Sequence, residues 1–393
     1  MDEIPFEDRY IPKAEIDWDR STWWFHPLSR AIHPAMRTSA LITSAVALLV
    51  IQFGLSLANY LFGPRFVASF DQWSLRSLAR VPLAPIEIGQ SQLFESLGLR
   101  EVAYLTFCIL WLSACLAFFG GILTRRAAVE LGQRTIASWR ETLRIVSSRM
   151  IAYVWVTGVH LVTLTCLLAI PFLLGITARL GFMAVVSGFL LILLVPLIIF
   201  IGRFVLSMFV CFPLSVAAIS CEKDADAFEG FSRSNNYFFQ RPVVATLGIV
   251  FLLGAGAVGY LLVYWIFLSG WHWMRDAFLS GAGLTVSDLL GPAVADRGTS
   301  EAVVRRADRL VPFIITGAWI TRLVITAYWF SFFWSGTAAL YLVLRRSVDN
   351  TNLDEIEDLL TGASVDLPEI PPPPSAPPTP AVGDKAPRSP DTP

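Results

Sequence analysis

Runs of apolar residues long enough to cross a bilayer recur along the chain, separated by short polar intervals. A span of the hydrocarbon core takes about 20 mostly apolar residues. Segments at 38–62, 103–124, 151–174, 182–202 and 243–268 meet that length, and 323–344 makes a sixth. The stretch 309–322 holds Arg322 and reads as an interfacial or re-entrant approach, with Arg322 snorkelling to the outer interface. Residues 204–220 are also apolar. They either extend the fourth helix past a kink at Pro213 or form a separate dip into the membrane. The pattern predicts an all-α fold, a polytopic membrane helical bundle of six spans over 38–346. A seventh span would flip one terminus.

Between the spans the pattern changes. Trp139, Leu143, Val146 and Met150 fall on one stripe at helical spacing, with Arg140 and Arg144 off it. Ser138-x-x-Glu141 is a capping-box start. The interval 125–149 therefore predicts an amphipathic helix lying on the inner leaflet, apolar face down. Segment 226–241 reads likewise: Asp226 is the cap, Glu229 follows three later, and Phe228, Phe231, Phe238 and Phe239 supply the apolar side. Pro242 marks the start of the fifth span. Residues 21–36 make a third, shorter interfacial piece broken by Pro27 and Pro34. The plan is an interfacial segment followed by a two-helix hairpin, three times. Trp23, Trp24, Trp271, Trp273, Trp329 and Trp334 stand near span ends, where amphipathic rings suit the headgroup zone.

The character changes again at 347. Residues 347–370 carry seven acids and no basic residue, and eleven of the 26 residues from 368 to 393 are proline. Such a tract has too little apolar surface to bury a core, so 347–393 is expected to be a solvated, disordered tail. Its Pro374 to Pro377 face is a candidate for docking a partner.

Composition sharpens the picture. The 393 residues are 55% hydrophobic and 16% charged, with a mean hydropathy of +0.59. Soluble domains carry about 25% charged residues. The net charge of −1 gives no electrostatic pull toward nucleic acid, so none is expected as a partner. With the N-terminus inside, the cytoplasmic pieces hold 19 Lys and Arg and the outer loops 11. That bias predicts both termini on the cytoplasmic side. Residues 1–36 carry Asp2, Glu3, Glu7 and Asp8 where a signal peptide has its basic region, so the first apolar segment is expected to remain as a span.

Candidate chemistry is sparse. Cys108, Cys115, Cys166, Cys211 and Cys221 lie in or beside apolar segments with no C-x-x-C pair and read as small buried residues. The four histidines, at 26, 33, 160 and 272, are too scattered for a metal site, and no cofactor is expected. Gly254-Ala-Gly256-Ala-Val-Gly259 matches G-x-G-x-x-G, but it lies within an apolar run and follows no strand. It reads as a small-residue surface for helix packing. His160 is the clear intramembrane ionisable residue besides Arg322. It reads as a structural histidine with Thr157 and Thr163 a turn away as partners, the alternative being a ligand or proton-relay role. Arg125, Arg126, Arg134, Arg140, Arg144 and Arg149 form a compact basic cluster suited to anionic lipid headgroups. No metalloprotease, nucleophile-elbow or phosphate-loop motif occurs, and no two acids share a span. The acids and histidine of 269–311, including His272, Asp276, Asp288 and Asp296, fit no catalytic template.

The stretch Pro213-Leu-Ser-Val-Ala-Ala-Ile-Ser-Cys-Glu222, then Ala227 and Ser232-Arg233-Ser234, is similar to a pattern in uncharacterised bacterial multi-pass proteins. Those proteins are related to the membrane domain of glycerophosphoryl diester phosphodiesterase. Lys223 stands where that family commonly has a glycine. The resemblance implies a shared membrane scaffold and no activity, since the phosphodiesterase chemistry belongs to a separate soluble domain. The expectation is a non-enzymatic integral protein of the bacterial inner (cytoplasmic) membrane, a scaffold, assembly or envelope-associated factor. Its expected partners are membrane lipids, with a protein partner or a second copy beside them. The alternative is a small-solute transporter or channel component.

Overall fold

In lipid a backbone has to satisfy its own N–H and C=O groups, so the apolar runs fold as helices. The computed structural model describes residues 26–62, 99–222, 226–286 and 301–351. The acid-bearing N-terminus with Trp23 and Trp24, the loop acids Asp288 and Asp296, and the tail from 352 lie outside these residues. Eleven α-helices follow in order among the described residues. They are α1 (His26–Arg30), α2 (Ile32–Ala35), α3 (Thr38–Phe62), α4 (Leu99–Gln133), α5 (Trp139–Ser148) and α6 (Met150–Ala178). The rest are α7 (Ala184–Leu193), α8 (Val195–Cys221), α9 (Ala227–Gln240), α10 (Pro242–Gly281) and α11 (Glu301–Asp349). No described residue is in a strand. Six helices, α3, α4, α6, α8, α10 and α11, are long and apolar enough to cross a membrane, and the fold is an all-α polytopic bundle.

The structure corrects four element boundaries. First, α4 runs unbroken through Arg125 and Arg126 to Gln133, so the amphipathic interval begins at 139 rather than 125. Arg134 then takes a left-handed conformation, φ 57°, as a helix-ending residue does. Second, the fourth apolar run is divided at Leu194. Pro196 has no N–H to offer the carbonyl four residues back, and it is accepted in the first turn of a new helix. Residues 204–220 simply continue α8, which stays helical through Pro213. Third, 309–322 is no separate approach but part of α11, a single helix of 49 residues that pairs with the 40-residue α10. Arg322 lies exposed on it. Fourth, the described part of 21–36 does not rest on a surface. Leu28, Ala31 and Ala35 are buried in the core, and Ser331 of α11 donates to the Ala35 carbonyl at 3.0 Å.

The core is built from the C-terminal parts of α4, α8 and α11, where Leu214, Ala217, Ala218 and the run from Ala338 to Leu344 are all buried. Aromatic rings seat on glycines throughout. Trp334 occupies the space a side chain at Gly120 would fill, as Phe332 does at Gly256, Tyr328 at Gly259, Trp111 at Gly54 and Trp271 at Gly317. The glycine motif of α10 is thus a packing surface at two of its three positions, while Gly254 faces open space. Away from this core, α6, α7 and α8 present large apolar side chains outward, among them Phe172, Val185, Phe189, Ile199 and Phe209.

Candidate functional site

A helix end leaves four carbonyls without intrahelical partners and a partial negative charge. At the C-terminus of α8 these groups are buried, and other helices supply the donors. Arg125 of α4 donates from Nη1 to the Ser220 carbonyl at 3.0 Å. Arg149, between α5 and α6, donates to the carbonyls of Ile219 at 2.7 Å and Glu222 at 2.5 Å. Ser220 Oγ donates to Val216 O at 2.7 Å, which leaves it as acceptor for the Tyr153 hydroxyl at 3.0 Å.

Glu222 ends this segment and gathers the neighbouring helices. Its Oε1 accepts from the Tyr341 hydroxyl at 2.9 Å and forms an ion pair with Arg345 Nε at 3.1 Å, both on α11. Its Oε2 lies 3.3 Å from Arg233 Nη1 on α9. Arg233 pairs in turn with Glu229, and the Tyr237 hydroxyl donates to Asp349 at the end of α11. Burial opposes the charge of Arg233, but the Glu222 and Glu229 carboxylates more than offset it and hold its pKa above the ordinary arginine value. Burial, then the Asp349 carboxylate, pushes the Tyr237 hydroxyl well above the usual tyrosine range. The Glu222 carboxylate therefore ties the end of α8 to α9 and α11, while the carbonyls and the Ser220 hydroxyl of that same end hold α4 and α6.

A second polar cluster joins the N-terminal segment to α4. Glu130 accepts from His33 Nδ1 at 2.6 Å and lies 2.6 Å from Arg37 Nε, an ion pair whose N–H is not aimed as a hydrogen bond. Beside it the Arg126 guanidinium stacks 4.3 Å over the Trp139 ring, with Nη1 buried and unpartnered.

The six arginines that the sequence groups together are divided by the fold. Arg125 is 1% exposed and Arg149 half-buried, both bound to carbonyls of α8, so neither faces lipid as a headgroup site requires. Arg126 is half-buried against Trp139. Arg134, Arg140 and Arg144 are exposed. The caps of the amphipathic helices form as their spacing predicts: Ser138 accepts from Glu141 N at 3.3 Å and Asp226 from Glu229 N at 2.7 Å. The face of α5 is different. Thr142, Ile145 and Val146 pack inward, while Trp139 and Leu143 point out, because the protein covers one half of a stripe that apolarity alone made continuous.

His160 is fully buried, but not against the expected threonines. Its Nδ1 lies 2.8 Å from the Val156 carbonyl, which only accepts, so Nδ1 carries the proton and Nε2 presents a lone pair. That Nε2 has no hydrogen-bond partner, nor has the Thr157 hydroxyl, and Thr163 bonds back to Val159 O. Rings of Phe204, Phe212 and Phe231 enclose the imidazole, the nearest centroid at 4.8 Å. Among the described residues no three His, Cys, Asp or Glu side chains come together as a metal would need.

Sequence reasoning missed Tyr341, Arg345 and the pairing role of Arg233. Glu222 and Arg345 each end an apolar run, which is the one local signal they give. No protein-family model matches the chain, and no curated protein or solved structure matches it.

Proposed function

We propose that the protein is a non-enzymatic integral membrane protein, a scaffold, assembly or envelope-associated factor of the bacterial inner membrane with both termini cytoplasmic. The observation that carries this reading is where the charges are spent. The buried ionic groups, Arg125, Glu130, Glu222 and Arg345, tie helix ends to one another instead of lining a path between them. The outward apolar face of α6 to α8 supplies a broad surface for lipid and membrane partners. The bacterial placing rests on the resemblance of 213–234, and the orientation on the Lys and Arg bias. Reporter fusions at Arg134 and after Arg346 are both expected to read cytoplasmic; an external signal at either ends the orientation.

One observation favours transport as a second reading. The buried Nε2 of His160 and the Thr157 hydroxyl both lack partners, and intramembrane polar groups of that kind mark solute or proton paths. The His160→Gln variant separates the two readings. A scaffold is expected to insert, remain stable and complement a deletion strain with this change. A variant that inserts stably and fails to complement moves transport to first place.

A further inference from the structure

We propose that the groove between α8 and α9 binds the phosphate of an anionic phospholipid, with Arg203 as its charged contact. Arg203 stands in α8, a helix of membrane-crossing length, and an ionisable residue in such a helix is a candidate for function. Its guanidinium lies 4.1 Å over the Phe239 ring, and both residues line the groove. The cavity beside it measures about 400 Å³, within the usual range for small-ligand sites.

The lining is selective for an anion. Ser232, Asn236 and Gln240 line the groove with Arg203, and no carboxylate does. Gln240 Nε2 donates to Asn236 Oδ1 at 2.8 Å, which leaves the Asn236 amide nitrogen as a donor. Asn235 is already engaged, accepting from Ser207 at 2.6 Å and donating to Phe231 O at 2.8 Å. Of the described acids at that end of α9, Glu222 and Glu229 are paired with Arg345 and Arg233, and Asp226 caps the helix by accepting from Glu229 N. Among the residues lining the groove the one charge is that of Arg203, and a guanidinium fork matches phosphate oxygens two at a time. The walls point to a lipid rather than a free ion. Phe228 at the rim is 67% exposed, and Leu206 and Phe209 on α8 are exposed apolar residues along which acyl chains can lie. Inorganic phosphate has no use for that surface.

The test titrates the full chain in neutral detergent with dioleoyl-phosphatidylglycerol, read by native mass spectrometry. The zwitterionic dioleoyl-phosphatidylcholine and millimolar sodium phosphate serve as competitors. The anionic lipid is expected to bind, with neither competitor displacing it. Arg203→Gln is expected to weaken it about tenfold or more, and Arg203→Lys, which keeps charge but loses the fork, by less. The double change Arg140→Gln and Arg144→Gln, on exposed arginines outside the groove, leaves this binding in place. Asn236→Ala provides an independent variant should Arg203→Gln not fold, and weakens binding in the same direction. Wild-type binding by Arg203→Gln or, where that variant does not fold, by Asn236→Ala, equal affinity for the zwitterionic lipid, or displacement by sodium phosphate each overturns the proposal.

Discussion

Replacing Glu222 with alanine is expected to lower the stability of the folded chain by about 3–5 kcal/mol, the usual cost of removing one partner from a buried ion pair. The Arg345 side chain is 10% exposed and the Glu222 side chain 13%, so little water can replace the lost carboxylate beside the guanidinium. The Tyr341 hydroxyl loses its acceptor at the same time. Glu222→Gln keeps an oxygen for Tyr341 and is expected to cost less. Glu229→Ala removes a partner that is 38% exposed, where ion pairs contribute about 0–1 kcal/mol. Thermal unfolding in one detergent ranks the three variants. Equal losses for Glu222→Ala and Glu229→Ala would remove Glu222 from the centre of the network.

Alanine at Gly120 is expected to destabilise by about 1–3 kcal/mol, the range for overpacked cores. A β-carbon there meets the Trp334 ring at 2.5 Å. Trp334 is fully buried, and Phe330 and Phe333 stand beside it with centroids at 6.3 and 5.2 Å, so the indole has little room to retreat. Gly254→Ala meets nothing within 4 Å and is expected to stabilise by about 0.5–1 kcal/mol, through lower backbone entropy in the unfolded chain. The opposite signs are the measurement, made by melting both variants together. A neutral Gly120→Ala would mean that the ring is not tightly seated.

Both variants bear on what could be read from the sequence. Periodicity and length located the apolar helices, and the caps at Ser138 and Asp226 formed because a cap is a local device, complete within four residues. A charge in hydrocarbon is costly, so in the sequence Arg125 reads as the end of a span. The helix continues through it because the Ser220 carbonyl, 95 residues away, accepts a hydrogen bond from its guanidinium. Arg322 misled in the same way, its helix running on past a charged residue. The break falls at Leu194, where Pro196 sits in the first turn of α8, and the helix runs on through the buried Pro213. The Glu222 network was out of reach for a similar reason: its members come from positions 125, 149, 233, 341 and 345, joined by contact alone.

The length of the α10–α11 pair has a consequence for the bilayer itself. Forty and 49 residues extend about 60 and about 73 Å at 1.5 Å per residue, against about 30 Å of hydrocarbon. Tilting a 60 Å rod into that thickness takes about 60°, beyond the 0–40° found for transmembrane helices. Yet α10 remains apolar on its outside over most of its length, with Val243, Trp265 and Phe278 all exposed. Its last turns, however, carry the exposed His272 and Asp276, so part of the helix stands beyond the hydrocarbon, where those side chains meet water.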